Sequence, residues 1–400
     1  MFQIYMDHNA TTKPDKRVIA RMINCPYGNA SSVHEMGSEA RVVVENARET
    51  IADFIGARPH EIYFSSGGTE ANNIALLGFE FPESRIPRSI VISTTEHHSI
   101  MRAAAKLEER KIADWWEIPV SEQGLIKPDA LKRLFNEVCD IDLVSVIHGN
   151  NETGTIQDLP LIRKMLDKYQ KRVKNRVYFM SDCVQSFGKI PVHVDELGLD
   201  IMTASAHKIY GPKGIGFIYV RDRVPVKPIT FGGHQESELR PGTENVPAIA
   251  GFGEAVKIAK GRMENDSAYL RGLGHRLLEG LLKIKGSHLN GHLTRRLPGT
   301  VNVRFDGVDA ASLVLRLSME GIMVSEGAAC ESGQTEPSHV LRAMGLSEKK
   351  ALGGVRFSLG RENSEEEVGA VISAVSDIVN DIRSGGSGFG PALEEVSENA

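Results

Sequence analysis

The chain is short of several features that would narrow its class at once. Its 400 residues include only four cysteines and two tryptophans, and aromatics make up 6%. Cys25, Cys139, Cys183 and Cys330 form no CxxC pair. That spacing suggests neither a zinc site nor a disulfide framework, and it fits a reducing compartment. No apolar run approaches the roughly 20 residues of a membrane helix, so no membrane contact is expected. Charge of one sign is also lacking: 47 Lys and Arg face 52 Asp and Glu, for a net charge of −5. With no long basic run there is no electrostatic case for nucleic acid. No internal repeat is visible. The first polar motif, Met6-Asp7-His8-Asn9-Ala10-Thr11-Thr12, starts too early to leave room for a signal or transit peptide, so the expected location is the cytoplasm.

What remains is an ordinary globular composition, 41% hydrophobic and 25% charged. The length exceeds what one core supports, so two domains are expected. Short β-branched runs at 61–65, 89–93, 143–147, 177–180, 201–204 and 216–220 alternate with amphipathic stretches at 38–55, 129–138 and 159–171. That alternation predicts an α/β fold with a mostly parallel sheet covered on both faces. After Pro247 the pattern changes. A long helix is predicted over 248–285, then strands at 300–305 and 355–359 and helices at 310–319, 337–344 and 365–382. These elements predict a smaller α+β domain with which the N-terminus packs. The domain reading is 13–247 for the large part, 1–12 with 248–383 for the small part, and a Gly/Ser-rich flexible tail at 384–400.

The polar residues at predicted strand ends carry the chemistry. Lys208 follows the run 200–204 and opens onto a Gly/Pro-rich turn. A lysine withdrawn from water there loses its proton readily and can form a Schiff base; the plainer reading is a surface lysine beside a turn. Ser65-Ser66-Gly67-Gly68-Thr69-Glu70 lies between a strand and a helix, where glycines and the helix dipole suit a phosphate. It also reads as a simple strand–helix turn. Asp182 is placed either to hold a protonated pyridine nitrogen or to cap a helix, and Gln185 to bond a ring oxygen. His97 could stack on a flat ring. His97 and His98 share no helix or strand face, and no cysteine or acid at ligand spacing joins them, so no metal is expected. Asn150 and Asn151 read as ligand contacts or turn residues. Arg356, in an apolar strand pattern, needs either a substrate carboxylate or a structural ion pair. Cys330 sits among small residues and glycines, where a thiolate can act as a nucleophile, while Cys183 reads as a small buried hydrophobe.

In this order, from 7–12 to 356–361 and over about nine-tenths of the chain, these stretches resemble class V, fold-type I pyridoxal phosphate (PLP) enzymes. The resemblance is to cysteine desulfurases and the related selenocysteine lyases. Ser66-Gly67-Gly68-Thr69-Glu70, Asn150-Asn151-Glu152, His207-Lys208, Arg240-Pro241-Gly242-Thr243-Glu244-Asn245 and Glu336-Pro337-Ser338-His339 fall in family order. The resemblance implies a large domain with a mostly parallel sheet of the seven-stranded type and a smaller α+β C-terminal domain. It implies that Lys208 carries the cofactor as a Schiff base and moves protons, and that His97 stacks on the ring. Asp182 would bind the pyridine nitrogen and Gln185 the ring oxygen. Gly68, Thr69, Ser205 and His207 would hold the phosphate, with Thr243 reaching in from a second subunit of a homodimer. Asn151 and Arg356 would bind the substrate carboxylate.

Cys330 would take sulfur from L-cysteine as a persulfide, releasing L-alanine. The sulfur would pass to an acceptor protein for iron–sulfur cluster or other thio-cofactor supply. The alternative is selenium release from L-selenocysteine. The stretches 240–245 and 327–330 lean toward selenocysteine lyases, while 336–344 resembles desulfurases, and His98 stands where the lyases place an acid. A catalytically idle PLP-fold binding protein is a remoter alternative that leaves Lys208, Cys330 and Arg356 without a task.

Overall fold

A computed structural model describes residues 3–82, 88–138, 140–173, 175–326 and 337–385. After a short β1 (Ile4–Tyr5) come seven strands: β2 (Ile62–Ser65), β3 (Ser89–Ser93), β4 (Asp114–Ile118), β5 (Ile141–Ser145), β6 (Tyr178–Asp182), β7 (Ile201–Ser205) and β8 (Gly216–Val220). They form one sheet in the order β2-β8-β7-β6-β5-β3-β4. All neighbours run parallel except β8, which is antiparallel to both β2 and β7. The exception has a simple cause. The link 206–215 is shorter than the dozen or so residues a parallel crossover needs, so β8 turns back beside β7.

Side-chain alternation explains why this sheet is covered twice. Val91, Val144, Phe179 and Phe217 point into one core, shared with the helix Glu35–Ile55 and the first half of the helix Val246–Leu282. Their strand neighbours Ile90, Leu143, Met180 and Ile218 point into another, shared with the helices Gly68–Leu77 and His98–Glu109. The sequence does not show β4, because Asp114 and Glu117 interrupt its apolar pattern; it is one of the two edge strands and mostly exposed.

The chain continues with β9 (Ser287–Leu289), β10 (Thr300–Phe305), β11 (Ile322–Met323) and β12 (Gly354–Ser358). β12-β10-β9 is an antiparallel sheet, and β1 pairs parallel with β11. A third core joins Leu273, Leu277 and Leu281 to Val371 and Val375 of the helix Glu365–Arg383, and Ile4 and Met6 belong to it. The helix Val246–Leu282 has 37 residues and runs through both regions. At 1.5 Å per residue it is about 55 Å long. The helix expected over 337–344 is shorter, His339–Ala343, with Ser338 as its N-cap accepting from the Leu341 N–H. The tail beyond Gly385 lies outside the described residues.

Candidate active site

Parallel strands deliver their carboxyl ends to one edge of the sheet, which is where α/β proteins bind ligands. Ser65, Ser93, Asp182 and Ser205 end β2, β3, β6 and β7. Lys208 closes the 3-10 turn Ala206–Lys208 directly after β7. Its Nζ donates to the carbonyls of Asn9 and Ala10, both at 2.6 Å. Burial first, then the Arg356 guanidinium, bring its pKa down to about 8 against the opposing charges of Asp7 and Asp182. The turn is held from the N-terminal segment: the Thr12 backbone N–H and hydroxyl both donate to the His207 carbonyl. His207 pairs with the Thr11 hydroxyl at 3.1 Å; burial, then Lys208 and Lys213, depress its imidazole to about 4.

Beside this turn lies a cavity of about 480 Å³ bordered by residues 66–70, Ser205, His207, Lys213 and Gly214. Gly68 and Thr69 open the helix Gly68–Leu77 there, so backbone N–H groups and the positive helix end face the cavity. Gly67 has φ +154°, and a Cβ on Gly68 would come within 2.6 Å of Val184 Cγ2. Lys213, which the sequence reading passed over, adds a cation at the same wall.

Asp182 is buried and doubly held. The Val184 N–H donates to Oδ1 at 2.9 Å and the Asn72 amide to Oδ2 at 2.8 Å. Asn72 in turn accepts from the Thr203 hydroxyl and donates to Ser99 Oγ. Ser99 closes the chain on His97: its backbone N–H donates to Nδ1 at 3.1 Å and its hydroxyl lies 2.8 Å from the same nitrogen. Nδ1 is therefore the acceptor, and the neutral imidazole carries its proton on Nε2. His97 is at once the N-cap of the helix His98–Glu109 and the end of a polar wire to Asp182. Glu96 beside it is fully buried. Burial, then the charge of Asp182, push its carboxyl well above the usual carboxylate range.

Arg356 lies in β12, 4% exposed. Nη2 pairs with Asp7 at 2.7 Å and Nη1 donates to the Asn151 carbonyl at 3.0 Å, while Nε has no partner among the described residues. The structural ion pair considered for this arginine therefore exists, with the Nε nitrogen left over among the described residues. Gln185 donates to the Asn9 carbonyl and accepts from Lys189, so its amide is already engaged. Thr243 is exposed and does not border this cavity.

Cys330 lies outside the described residues with the rest of 327–336; the residues on either side of that stretch are described. Ser325 exchanges both backbone hydrogen bonds with Arg356. Ser338 Oγ donates to Glu152 at 2.5 Å, His339 Nε2 lies 2.9 Å from the Glu96 carbonyl, and its ring is 4.5 Å from that of His98. Among the described residues no cluster of His, Cys, Asp or Glu could hold a metal ion, and no helix is long and apolar enough to cross a membrane.

Asn9, Asn72, Lys189 and Thr203 were not singled out from sequence. Only Asn9 had a signal, its place in the 6–12 motif; the others work through partners distant in the chain. A lysine of lowered proton affinity, a carboxylate at a strand end, an imidazole capping a helix and a glycine-walled cavity with a cation fit a phosphorylated, carbonyl-bearing pyridine, PLP.

Known proteins resemble the chain along nearly its whole length. Residues 4–371 match the family described as "Aminotransferase class-V". "Cysteine desulfurase IscS" of Methanosarcina thermophila is 40% identical over 385 residues, spanning 95% of this chain and 93% of that one. "Cysteine desulfurase, mitochondrial" of Saccharomyces cerevisiae is 41% identical over 402 residues, spanning 99% of this chain and 78% of that one. The X-ray structure of a NifS-like protein from Rickettsia africae superposes with a TM-score of 0.84 at 33% identity, over 95% of this chain and 100% of that one.

Proposed function

The chain belongs to the class-V aminotransferase family, as a PLP-dependent cysteine desulfurase, and from that premise we propose which of its residues do the work. The observation that carries the assignment is Lys208: an amine at a strand end, bonded only to carbonyls, with its pKa brought down to about 8. PLP, when bound, supplies an electrophilic carbonyl carbon and an electron sink. Lys208 Nζ serves as the attachment point and then as the base and acid that moves the substrate's α-proton. Asp182 accepts the pyridine N–H, steadied by Asn72 and Val184. His97 stacks on the ring. Gly68, Thr69, Ser205 and His207 hold the phosphate with Lys213. Gln185 would take the ring oxygen in exchange for one of its hydrogen bonds, to the Asn9 carbonyl or from Lys189.

Arg356, with its unpaired Nε, and Asn151 take the substrate carboxylate; Asp7 keeps the guanidinium aimed meanwhile. Cys330 accepts the sulfur: the substrate's Cβ–S bond breaks, an S–S bond forms on Cys330, and cysteine plus enzyme thiol become alanine plus enzyme persulfide. Support for this role is the anchoring of both flanks of its segment, Ser325 at Arg356 and His339 beside His98. The persulfide then serves an acceptor protein, with iron–sulfur cluster assembly as the use.

L-Cysteine is the substrate, as suits a chain with His98 and no acid after His97; we add L-selenocysteine as a second, accepted one on the resemblance of 240–245 and 327–330 to the lyases. We further propose division of the chain at 13–247 against 1–12 with 248–383, and a homodimer in which Thr243 completes the partner's phosphate site. Exposed Tyr27, Val33 and Phe231 suit such an interface. The free thiols Cys25 and Cys183 suit the reducing cytoplasm. The deciding experiment is Cys330→Ser incubated with L-cysteine. It should bind PLP yet form neither alanine at the wild-type rate nor persulfide by mass spectrometry. A persulfide on Cys25, Cys139 or Cys183 in the wild type would reassign the acceptor.

A further inference from the structure

A second lysine stands behind Lys208, and the reaction outlined above gives it no task. Lys189 follows the turn after β6, and its carbonyl accepts from Ser267 of the long helix. Its Nζ donates to Asn9 Oδ1 at 3.0 Å and to Gln185 Oε1 at 2.9 Å. Both acceptors are neutral amides, and no carboxylate pairs with this ammonium among the described residues. Asn9 offers its other oxygen, the backbone carbonyl, to Lys208 at 2.6 Å and to Gln185 at 2.8 Å. One residue thus bridges the two amines, side chain to one and main chain to the other. Asn9 is itself fixed, because its Nδ2 donates to the Asn151 carbonyl and to Thr300 Oγ1.

We propose that Lys189 is a positioning residue for the cofactor-bearing lysine, a second ammonium that acts on Lys208 through Asn9. The inference rests on Lys208 being the attachment point. An ammonium is a costly way to hold two amide oxygens, since withdrawing a charge from water without a counter-charge is penalised heavily. A neutral amide would hold the same loop. What the charge adds is repulsion. Lys208 faces Arg356 as a cation and Asp7 and Asp182 as the opposing anions, while its own charge acts on Lys189 and His207. Lys189 faces Lys208, Arg356 and His8, with no anion of its own. Burial, then Lys208 and Arg356, bring Lys189 down to about 7, beside a Lys208 brought down to about 8. Each proton on Lys189 makes one on the neighbouring nitrogen less favourable, and Asn9 keeps their separation constant.

The test uses the full-length holoenzyme without substrate. The visible absorbance of the bound cofactor is titrated with pH in wild type, Lys189→Met, Lys189→Gln and Lys189→Arg. Removing the charge should raise the midpoint by about one pH unit, the lower end of what a like charge at close range does. It should also sharpen the curve toward a single proton. Lys189→Arg should hold the midpoint at or below wild type. Loss of a merely structural lysine would move Met, Gln and Arg variants alike or leave all midpoints in place, and either result overturns the proposal. The Gln variant retains polar bonding if Met does not fold. Failure of the underlying assignment looks different: Lys208→Ala would then keep the wild-type band, whatever Lys189 does.

Discussion

At the scale of single residues, the site is built from neutral hydrogen-bonding groups that aim charged ones. Asn72 shows the principle. It touches no cavity wall, yet its amide joins Thr203, Asp182 and Ser99, and through Ser99 reaches His97. Asn72→Ala would leave Asp182 with the Val184 N–H alone and unpair the Thr203 hydroxyl. A hydrogen bond to a charged group is worth about 1.5–3 kcal/mol, so PLP affinity should fall roughly 10- to 150-fold. Equilibrium dialysis of PLP measures this directly, and an unchanged Kd would show that Asp182 needs no such support. The Asp182, Lys208 and Arg356 positions were legible in sequence because charged residues interrupt apolar strand patterns there. Asn72 was not legible, since an asparagine in a helix after a glycine turn carries no pattern of its own.

At the scale of elements, the glycine turn between β2 and the helix Gly68–Leu77 is a tight fit. A Cβ on Gly68 meets Val184 Cγ2 at 2.6 Å, closer than side chains pack. Val184 neighbours the Asp182 backbone contact, so a push there reaches both walls of the site. Gly68→Ala should cost about 1–3 kcal/mol through overpacking. It should lower Tm and loosen PLP together; a Tm within a degree of wild type would mean that Val184 simply rotates away. A second device sits at 236–238, where Glu236, Ser237 and Glu238 all adopt positive φ. Such backbone is held only where packing dictates it. Here the anchor is Glu236, buried and paired with both terminal nitrogens of Arg48 while also accepting from the Phe64 N–H. Arg240, just beyond, pairs with Glu70 of the glycine turn.

At the scale of the whole molecule, burial of neutral histidines sets an acid limit. His8 and His148 are 6% and 4% exposed, and burial brings both imidazoles down to about 4. The sign follows from proton uptake. Below about pH 6.5 the unfolded chain protonates these rings while the folded chain does not, so stability falls with pH until about 4, where the loss is complete. Each ring accounts for up to about 3 kcal/mol by the standard conversion of 1.36 kcal/mol per unit. Tm should therefore drop steeply between pH 6.5 and 4, and His148→Gln, which keeps a partner for Ser186, should flatten that slope. A slope unchanged in the variant would place the acid sensitivity elsewhere.

Local chemistry alone determined much of this protein. β-Branched runs separated by amphipathic stretches specify an α/β sheet, because periodicity is written residue by residue. A lysine, an aspartate and a glycine turn at strand ends suit a phosphorylated pyridine, and their order along the chain, by its resemblance to a known family, points to PLP. The place of β4 at a sheet edge was decided in three dimensions, whereas the reversal of β8 follows from the length of one connection, which the spacing of the runs 201–204 and 216–220 already sets. Also decided in three dimensions was the bridge from Lys189 through Asn9 to Lys208, whose members stand 180 and 199 residues from Asn9. No sequence pattern spans such separations, since hydrogen bonds depend on distance in space and only the closed fold supplies it.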